Sequence, residues 1–145
     1  ATSVVARFDY WEAAWKTAVT RPFLGSGPGT FGVVYAQIKR PESEMARLTH
    51  NDYLQQASDS GFPGLAAYVL FISGMVWVGY ASWRHDRSPV RLGIWVGLLA
   101  WALQAFGEFT LYVPSLAWTA FAFAGWLLGS VKPVGKRFDK PVQAV

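Results

Sequence analysis

After residue 60 the hydrophobic residues of this chain form three long runs. Residues 62–83 contain no charged side chain. At ~1.5 Å rise per residue, a helix of that length reaches ~33 Å, enough to cross a hydrocarbon core of ~30 Å. Residues 92–106 are also uncharged, and residues 114–131 begin at a proline and form a third apolar run. The pattern predicts three transmembrane helices, over about residues 62–83, 92–111 and 114–131.

The first 60 residues have a more polar pattern. Five apolar residues recur at helical spacing and predict an amphipathic helix over residues 7–19, which lies on a membrane surface or packs on another part of the protein: Phe8, Trp11, Trp15, Ala18 and Val19. Residues 21–32 are rich in glycine and proline, which predicts a loop. Residues 49–60 suggest a short helix that is capped by Thr49 or Asn51 and ended by Gly61.

The distribution of charge predicts how the chain lies in the membrane. Residues 1–60 carry six bases and six acids, whereas the remainder carries seven bases and three acids. The excess lies in residues 84–91 and in the tail from Lys132, while residues 107–113 contain no Lys or Arg. By the positive-inside rule both basic segments are cytoplasmic, so residues 1–60 lie outside the cytoplasm.

Composition excludes several classes of protein. The chain is 52% hydrophobic and only 15% charged, and its eight Trp suit membrane interfaces. It has no Cys, which excludes disulfides, thiolate catalysis and cysteine zinc sites, and two His make a histidine metal site improbable. Its excess positive charge flanks apolar runs rather than one soluble face, so we expect no nucleic-acid partner. Because residues 1–60 are expected outside the cytoplasm and no long apolar run precedes residue 60, we expect the chain to be a C-terminal fragment that lacks upstream helices.

Two motifs are more specific than composition. Arg7 precedes DYWEAAW and RPFLGSGPGTF, and His50-Asn51-x-x-Leu54 is followed after six residues by Gly61. In this order, just before a transmembrane helix, they closely resemble the O-antigen ligase family, which includes O-antigen and exopolysaccharide polymerases and O-oligosaccharyltransferases. The resemblance covers about residues 7–131. Residues 104–114 correspond to a third characteristic stretch of that family. Polymerase-like members often carry His and Asp in this stretch, and here Gln104 and Glu108 stand at those positions.

The resemblance implies an all-α, polytopic protein of the bacterial inner membrane with its active site facing the periplasm. It implies transfer of a saccharide from an undecaprenyl-diphosphate donor to a hydroxyl of lipid A-core or of a growing polysaccharide. Diphosphate is a good leaving group, so no metal or other cofactor is expected. Ligation, polymerisation and glycosylation of a protein remain open. A second hypothesis is a non-catalytic membrane subunit or transporter segment whose residues 1–60 bind a partner.

Six residues are candidates for the site. Arg7 is the expected phosphate clamp, because a guanidinium makes charged hydrogen bonds to phosphate oxygens. His50 is the expected base or acceptor-orienting residue, since an imidazole can accept a proton near neutral pH.

The other four candidates are substrate-binding residues: Arg21, Asn51, Gly27 and Glu108. Asn51 is equally a helix cap, and the loop around Gly27 is either a backbone anion site or, as we favour, an ordinary turn. Glu108 would be costly deep in a membrane but cheap near its outer surface.

Overall fold

The computed structural model describes residues 3–129, and within them all regular secondary structure is helical. Five helices follow in order: α1 Ser3–Thr20, α2 Phe31–Ile38, α3 Asp52–Asp86, α4 Pro89–Gln104 and α5 Pro114–Gly129. This confirms the all-α class. The predicted cytoplasmic tail, residues 132–145, and the last two residues of the predicted third span lie outside the described residues.

Helix α1 contains the predicted amphipathic helix, and it packs on the described residues through a different face from the predicted aromatic one. The buried positions are mainly small residues, whereas Phe8, Trp15 and Val19 are exposed. Small side chains allow α1 to approach α2 and α3 closely, and the larger side chains then point outward. The buried face consists of Ala6, Tyr10, Ala13, Ala14, Thr17 and Ala18.

Helix α2 was not predicted. Its sequence, FGVVYAQI, is a short apolar run that periodicity alone does not assign to helix or strand. Phe31 and Tyr35 are fully buried and stack on each other with ring centroids 5.5 Å apart. Tyr35 also meets the Tyr10 ring of α1 edge-on at 5.3 Å. Helix α2 therefore completes an outer apolar cluster with α1.

Helix α3 joins two predicted elements, the short helix and the first membrane span, across a break at Gly61. Asn51 is the cap, and its side chain accepts a hydrogen bond from the Leu54 backbone N–H. Gly61 has φ 68° and ψ −171°, a conformation essentially confined to glycine. A Cβ there would lie 2.5 Å from the Pro22 carbonyl oxygen, which accepts the Phe62 N–H. The break thus fits the chain closely against the loop after α1.

Among the described residues, only α3 is long and apolar enough to cross a membrane. Helix α4 is a shorter apolar helix, and α5 has 16 described residues. Helices α3, α4 and α5 pack around a second apolar cluster that includes Tyr68, Trp101 and Leu127. Three transmembrane helices therefore remain a proposal.

Helix α4 ends earlier than its predicted span, at Gln104 rather than near residue 111. The next three carbonyl groups turn away and accept hydrogen bonds from other parts of the fold. The donors are the Asp52 N–H to Ala105, the Asn51 side-chain amide to Phe106 and the Arg7 guanidinium to Gly107. These bonds fix the α4–α5 loop, residues 105–113, against α1 and the start of α3.

Candidate active site

Glu108 joins the two leading candidate residues. One carboxylate oxygen, Oε1, accepts a hydrogen bond from Arg7 Nη2 at 2.6 Å. The other, Oε2, lies 3.3 Å from His50 Nδ1. A single carboxylate in the α4–α5 loop therefore holds a guanidinium from α1 and an imidazole from the segment before α3.

The fold fixes Arg7 from two directions. Besides its ion pair with Glu108, its Nη1 donates to the Gly107 carbonyl oxygen at 2.7 Å. That carbonyl follows the C-terminal end of α4, where the helix dipole is negative and favours a cation. A guanidinium has five N–H donors, so several remain for a further anion.

His50 is held by its backbone and by neighbouring rings. Its φ of 52° is left-handed, which turns the chain sharply just before the helix cap. The preceding carbonyl, of Thr49, accepts a hydrogen bond from the Trp11 indole at 3.1 Å. The imidazole lies 4.6 Å from the Phe109 ring and 6.2 Å from the Tyr10 ring, centroid to centroid. These contacts limit how far the imidazole can rotate.

The three side chains remain accessible. Their exposed fractions are 28% for Arg7, 33% for His50 and 40% for Glu108. Arg7 and His50 line an open cavity of about 350 Å³. Glu108 lines a second cavity of about 260 Å³, together with Gln104. The group of three side chains therefore borders two cavities.

Electrostatics keep Glu108 ionised. Partial burial raises the pKa of Glu108, but hydrogen bonds from Arg7 and His50 and the positive charge of Arg7 outweigh it, so the pKa falls below its usual range. When the carboxylate is ionised, the hydrogen bond requires the proton on His50 Nδ1. In the neutral imidazole this leaves the lone pair on Nε2, where a proton can be accepted.

The comparison with protein families supports the resemblance found in the motifs. Residues 1–69 match the family model described as O-antigen ligase. These residues, the family segment, are therefore similar to the O-antigen ligase family. Among curated proteins, no relative matches the chain. The family segment contains Arg7 and His50 and ends before Glu108.

The other candidates in the family segment lie outside this group. The Asn51 side chain accepts a hydrogen bond from the Leu54 N–H and donates one to the Phe106 carbonyl oxygen. It therefore caps α3 and connects α3 to the α4–α5 loop. Arg21 is exposed at the end of α1 and is not among the residues that line the 350 Å³ cavity.

In the glycine-rich loop several backbone N–H groups are already hydrogen-bonded to α3. The N–H groups of Ser26 and Gly27 bond the carbonyls of Ser58 and Asp59. The Gly29 N–H bonds the Asp59 carboxylate at 2.9 Å. A Cβ on Gly25 would lie 2.4 Å from the Ser58 carbonyl oxygen, so the loop lies flush on α3. These contacts favour the ordinary turn over an anion site.

Three polar residues of the 350 Å³ cavity were not predicted to belong to the site: Tyr10, Glu44 and Arg47. Tyr10 lies in the DYWEAAW motif, but the motif alone gives this residue no separate role. Arg47 lies three residues before His50, and this proximity to a candidate base is the feature of the sequence that could have indicated a place in the site.

Proposed function

We propose that the full-length protein transfers or polymerises saccharide from an undecaprenyl-diphosphate donor onto an acceptor hydroxyl, with its active site in the periplasm. The observation that carries this proposal is the shared contact of Glu108 with Arg7 and His50. It supports the proposal because one carboxylate holds a guanidinium, which suits phosphate, close to an imidazole, which suits proton transfer. Both belong to the O-antigen ligase family segment.

In the proposed reaction the acceptor hydroxyl oxygen attacks the anomeric carbon of the donor sugar. The bond from that carbon to the diphosphate oxygen breaks, and its electron pair leaves with the lipid diphosphate. The hydroxyl proton passes to Nε2 of His50, whose Nδ1–H is held by Glu108. General-base assistance of this kind typically contributes about 10²–10⁴-fold to the rate.

Arg7 stabilises the charge that develops on the diphosphate. Its ion pair with Glu108 aims the guanidinium and leaves donors free for phosphate oxygens. Charged hydrogen bonds of this type are worth roughly 1.5–3 kcal/mol each. An Arg7→Ala variant is therefore expected to lose about 10- to 100-fold in kcat/KM.

The proposed topology has three membrane spans, formed by α3 beyond Gly61, α4 and α5, with the outer segment, residues 1–60, in the periplasm and the tail, residues 132–145, in the cytoplasm. The exposed faces of these helices carry large apolar side chains such as Leu70, Trp77 and Trp118. Arg91 lies near the start of α4 and Glu108 just after its end, so the basic turn and the candidate site lie at opposite ends of that helix. This arrangement agrees with the positive-inside rule.

Single-cysteine labelling tests the topology. The 145 residues contain no cysteine, so Glu42→Cys and His85→Cys each add one thiol to this region. Both native residues are exposed. In intact cells, a membrane-impermeant maleimide should label position 42 and spare position 85. Labelling of position 85 alone would refute the proposed orientation.

A transfer assay tests the chemistry. The purified full-length protein, in liposomes with an undecaprenyl-diphosphate saccharide, should release lipid diphosphate and form product. Lipid A-core as the effective acceptor would indicate a ligase, the saccharide itself a polymerase, and a protein acceptor an O-glycosylating enzyme. Because diphosphate leaves readily, EDTA should not reduce the rate.

The alternative is a non-catalytic membrane subunit or transporter segment. It predicts that Arg7→Ala and His50→Asn leave polysaccharide assembly intact in cells. The transferase proposal predicts loss of product at normal protein levels. Asn is preferred to Ala at position 50 because it tolerates the left-handed backbone there.

A further inference from the structure

The 350 Å³ cavity beside the candidate base has a second wall with no role in the mechanism above. Arg7 and His50 form one side of it, and Tyr10, Glu44 and Arg47 lie around the remainder. The cavity is open to the outside and lies between α1 and the segment that leads to α3. Any molecule within it would adjoin His50 and Arg7.

Two charged groups of this cavity have no ion-pair or hydrogen-bond partner for their side chains in the described part of the chain. These groups are Glu44 and Arg47, within residues 3–129. By contrast, the exposed Arg40 lies within ion-pair distance of both Asp9 and Glu12. The cavity therefore offers a free carboxylate and a free guanidinium next to a tyrosine.

From this combination we infer that the cavity binds saccharide hydroxyl groups, and that Glu44 and Arg47 determine how the sugar is held. A sugar hydroxyl both donates and accepts hydrogen bonds, so a carboxylate and a guanidinium can each engage it. Glu44 can accept a hydrogen bond from a sugar hydroxyl but not from an ionised phosphate, so this wall of the cavity suits a sugar better than a bare phosphate. The inference rests on the proposed transferase function and assigns to it a sugar-binding subsite.

The position of the cavity supports this assignment. Its lining includes both the proposed base and the proposed phosphate clamp, and the reacting sugar carbon must lie between these two groups. A volume of about 350 Å³ falls within the usual size of small-molecule sites. The charged planar side chains of Glu44 and Arg47 would then determine which sugar hydroxyl groups are held next to Arg7 and His50.

Steady-state kinetics of the full-length protein test the inference. Glu44→Ala and Arg47→Ala should each raise KM for one saccharide substrate about tenfold, with kcat within about threefold of wild type. A rise for the lipid-linked donor places the donor sugar in the cavity, and a rise for the acceptor places the acceptor there. Glu42→Ala and Arg40→Ala, exposed residues nearby that do not line the cavity, are matched charge controls.

Inhibition by sugar-free undecaprenyl diphosphate separates sugar binding from phosphate binding. Its inhibition constant should be unchanged in Arg47→Ala and should rise in Arg7→Ala. A rise in Arg47→Ala would overturn the inference in favour of a second phosphate contact. An unchanged KM for both substrates, or the same loss in the controls, would also overturn it.

These failures are distinguishable from failure of the proposed function itself. If Arg7→Ala and His50→Asn retain full activity, the transferase site is wrong. If those two variants lose activity while Glu44→Ala and Arg47→Ala behave as wild type, only the sugar-binding subsite is wrong.

Discussion

Replacing Glu108 by glutamine tests the carboxylate that connects the two proposed functional groups. In Glu108 each carboxylate oxygen contacts a different partner, Arg7 or His50. A glutamine side chain has only one carbonyl oxygen, so it can accept a hydrogen bond from one of these partners in this way but not from both. Its amide nitrogen would face the other partner as a donor. The substitution E108Q therefore preserves volume and removes the bridge.

The expected loss of activity is intermediate. The contact to His50 is 3.3 Å and the three side chains are about one-third exposed, so the carboxylate orients the imidazole without enclosing it. We expect kcat to fall about 10- to 100-fold, which corresponds to roughly 1.4–2.8 kcal/mol of activation free energy. The transfer assay in liposomes measures this change. Glu12→Gln is the control, because it removes an exposed charge that pairs with Lys16 and Arg40 outside the site.

The same variant has a defined effect on stability. Partly exposed ion pairs are screened by solvent, so removing the Arg7–Glu108 pair should cost only about 1 kcal/mol or less. Because the pKa of Glu108 is lowered in the folded state, its stabilising contribution is present above the usual carboxyl pKa of about 4.3 and is lost as the pH falls through the folded value. The difference in Tm between wild type and E108Q should therefore be larger at pH 7 than at about pH 3.

Two results would refute this reasoning. Activity of E108Q within about twofold of wild type would mean that the carboxylate does not position the base. A Tm difference that grows towards acid pH would mean that Glu108 is destabilised, rather than stabilised, as an ion.

Three further predictions concern single residues. His50→Asn should lower kcat at least about 10²-fold with little change in donor KM, measured by initial rates, and an unchanged kcat would exclude His50 as the base. Gly61→Ala should lower the free energy of unfolding by about 3 kcal/mol or more in detergent. The control Gly74→Ala, which has open space around its Cβ, should be neutral or stabilising, and equal effects of the two substitutions would contradict the requirement for glycine at the break in α3. Asn51→Ala should lose about 1–2 kcal/mol through the cap and the Phe106 bond, and no change in Tm would count against both contacts.

Periodicity was sufficient to predict helix α1 but not which of its faces packs within the chain. The spacing of aromatic residues correctly predicted α1, yet the buried side of α1 consists mostly of alanines. Large apolar side chains dominate any sequence pattern, whereas close packing of neighbouring helices favours small ones. The eight residues of α2 were missed because a short apolar run is compatible with helix and strand.

The candidate site could be predicted only in pieces. Arg7 and His50 each belong to a local motif, and the family segment includes both. Glu108 lies 101 residues after Arg7, and no local pattern shows that they touch. Their contact depends on the early end of α4, where three donors from elsewhere in the fold take the carbonyls of residues 105–107.

The most direct test of the central claim is a double-variant cycle on Arg7 and His50 in the full-length protein. The two groups are proposed to act on one donor through a shared carboxylate, so their effects on kcat/KM should not add. We predict that the Arg7→Ala/His50→Asn protein is no more than a few-fold slower than the slower single variant. Losses that multiply fully would show two independent groups and would contradict a single active site.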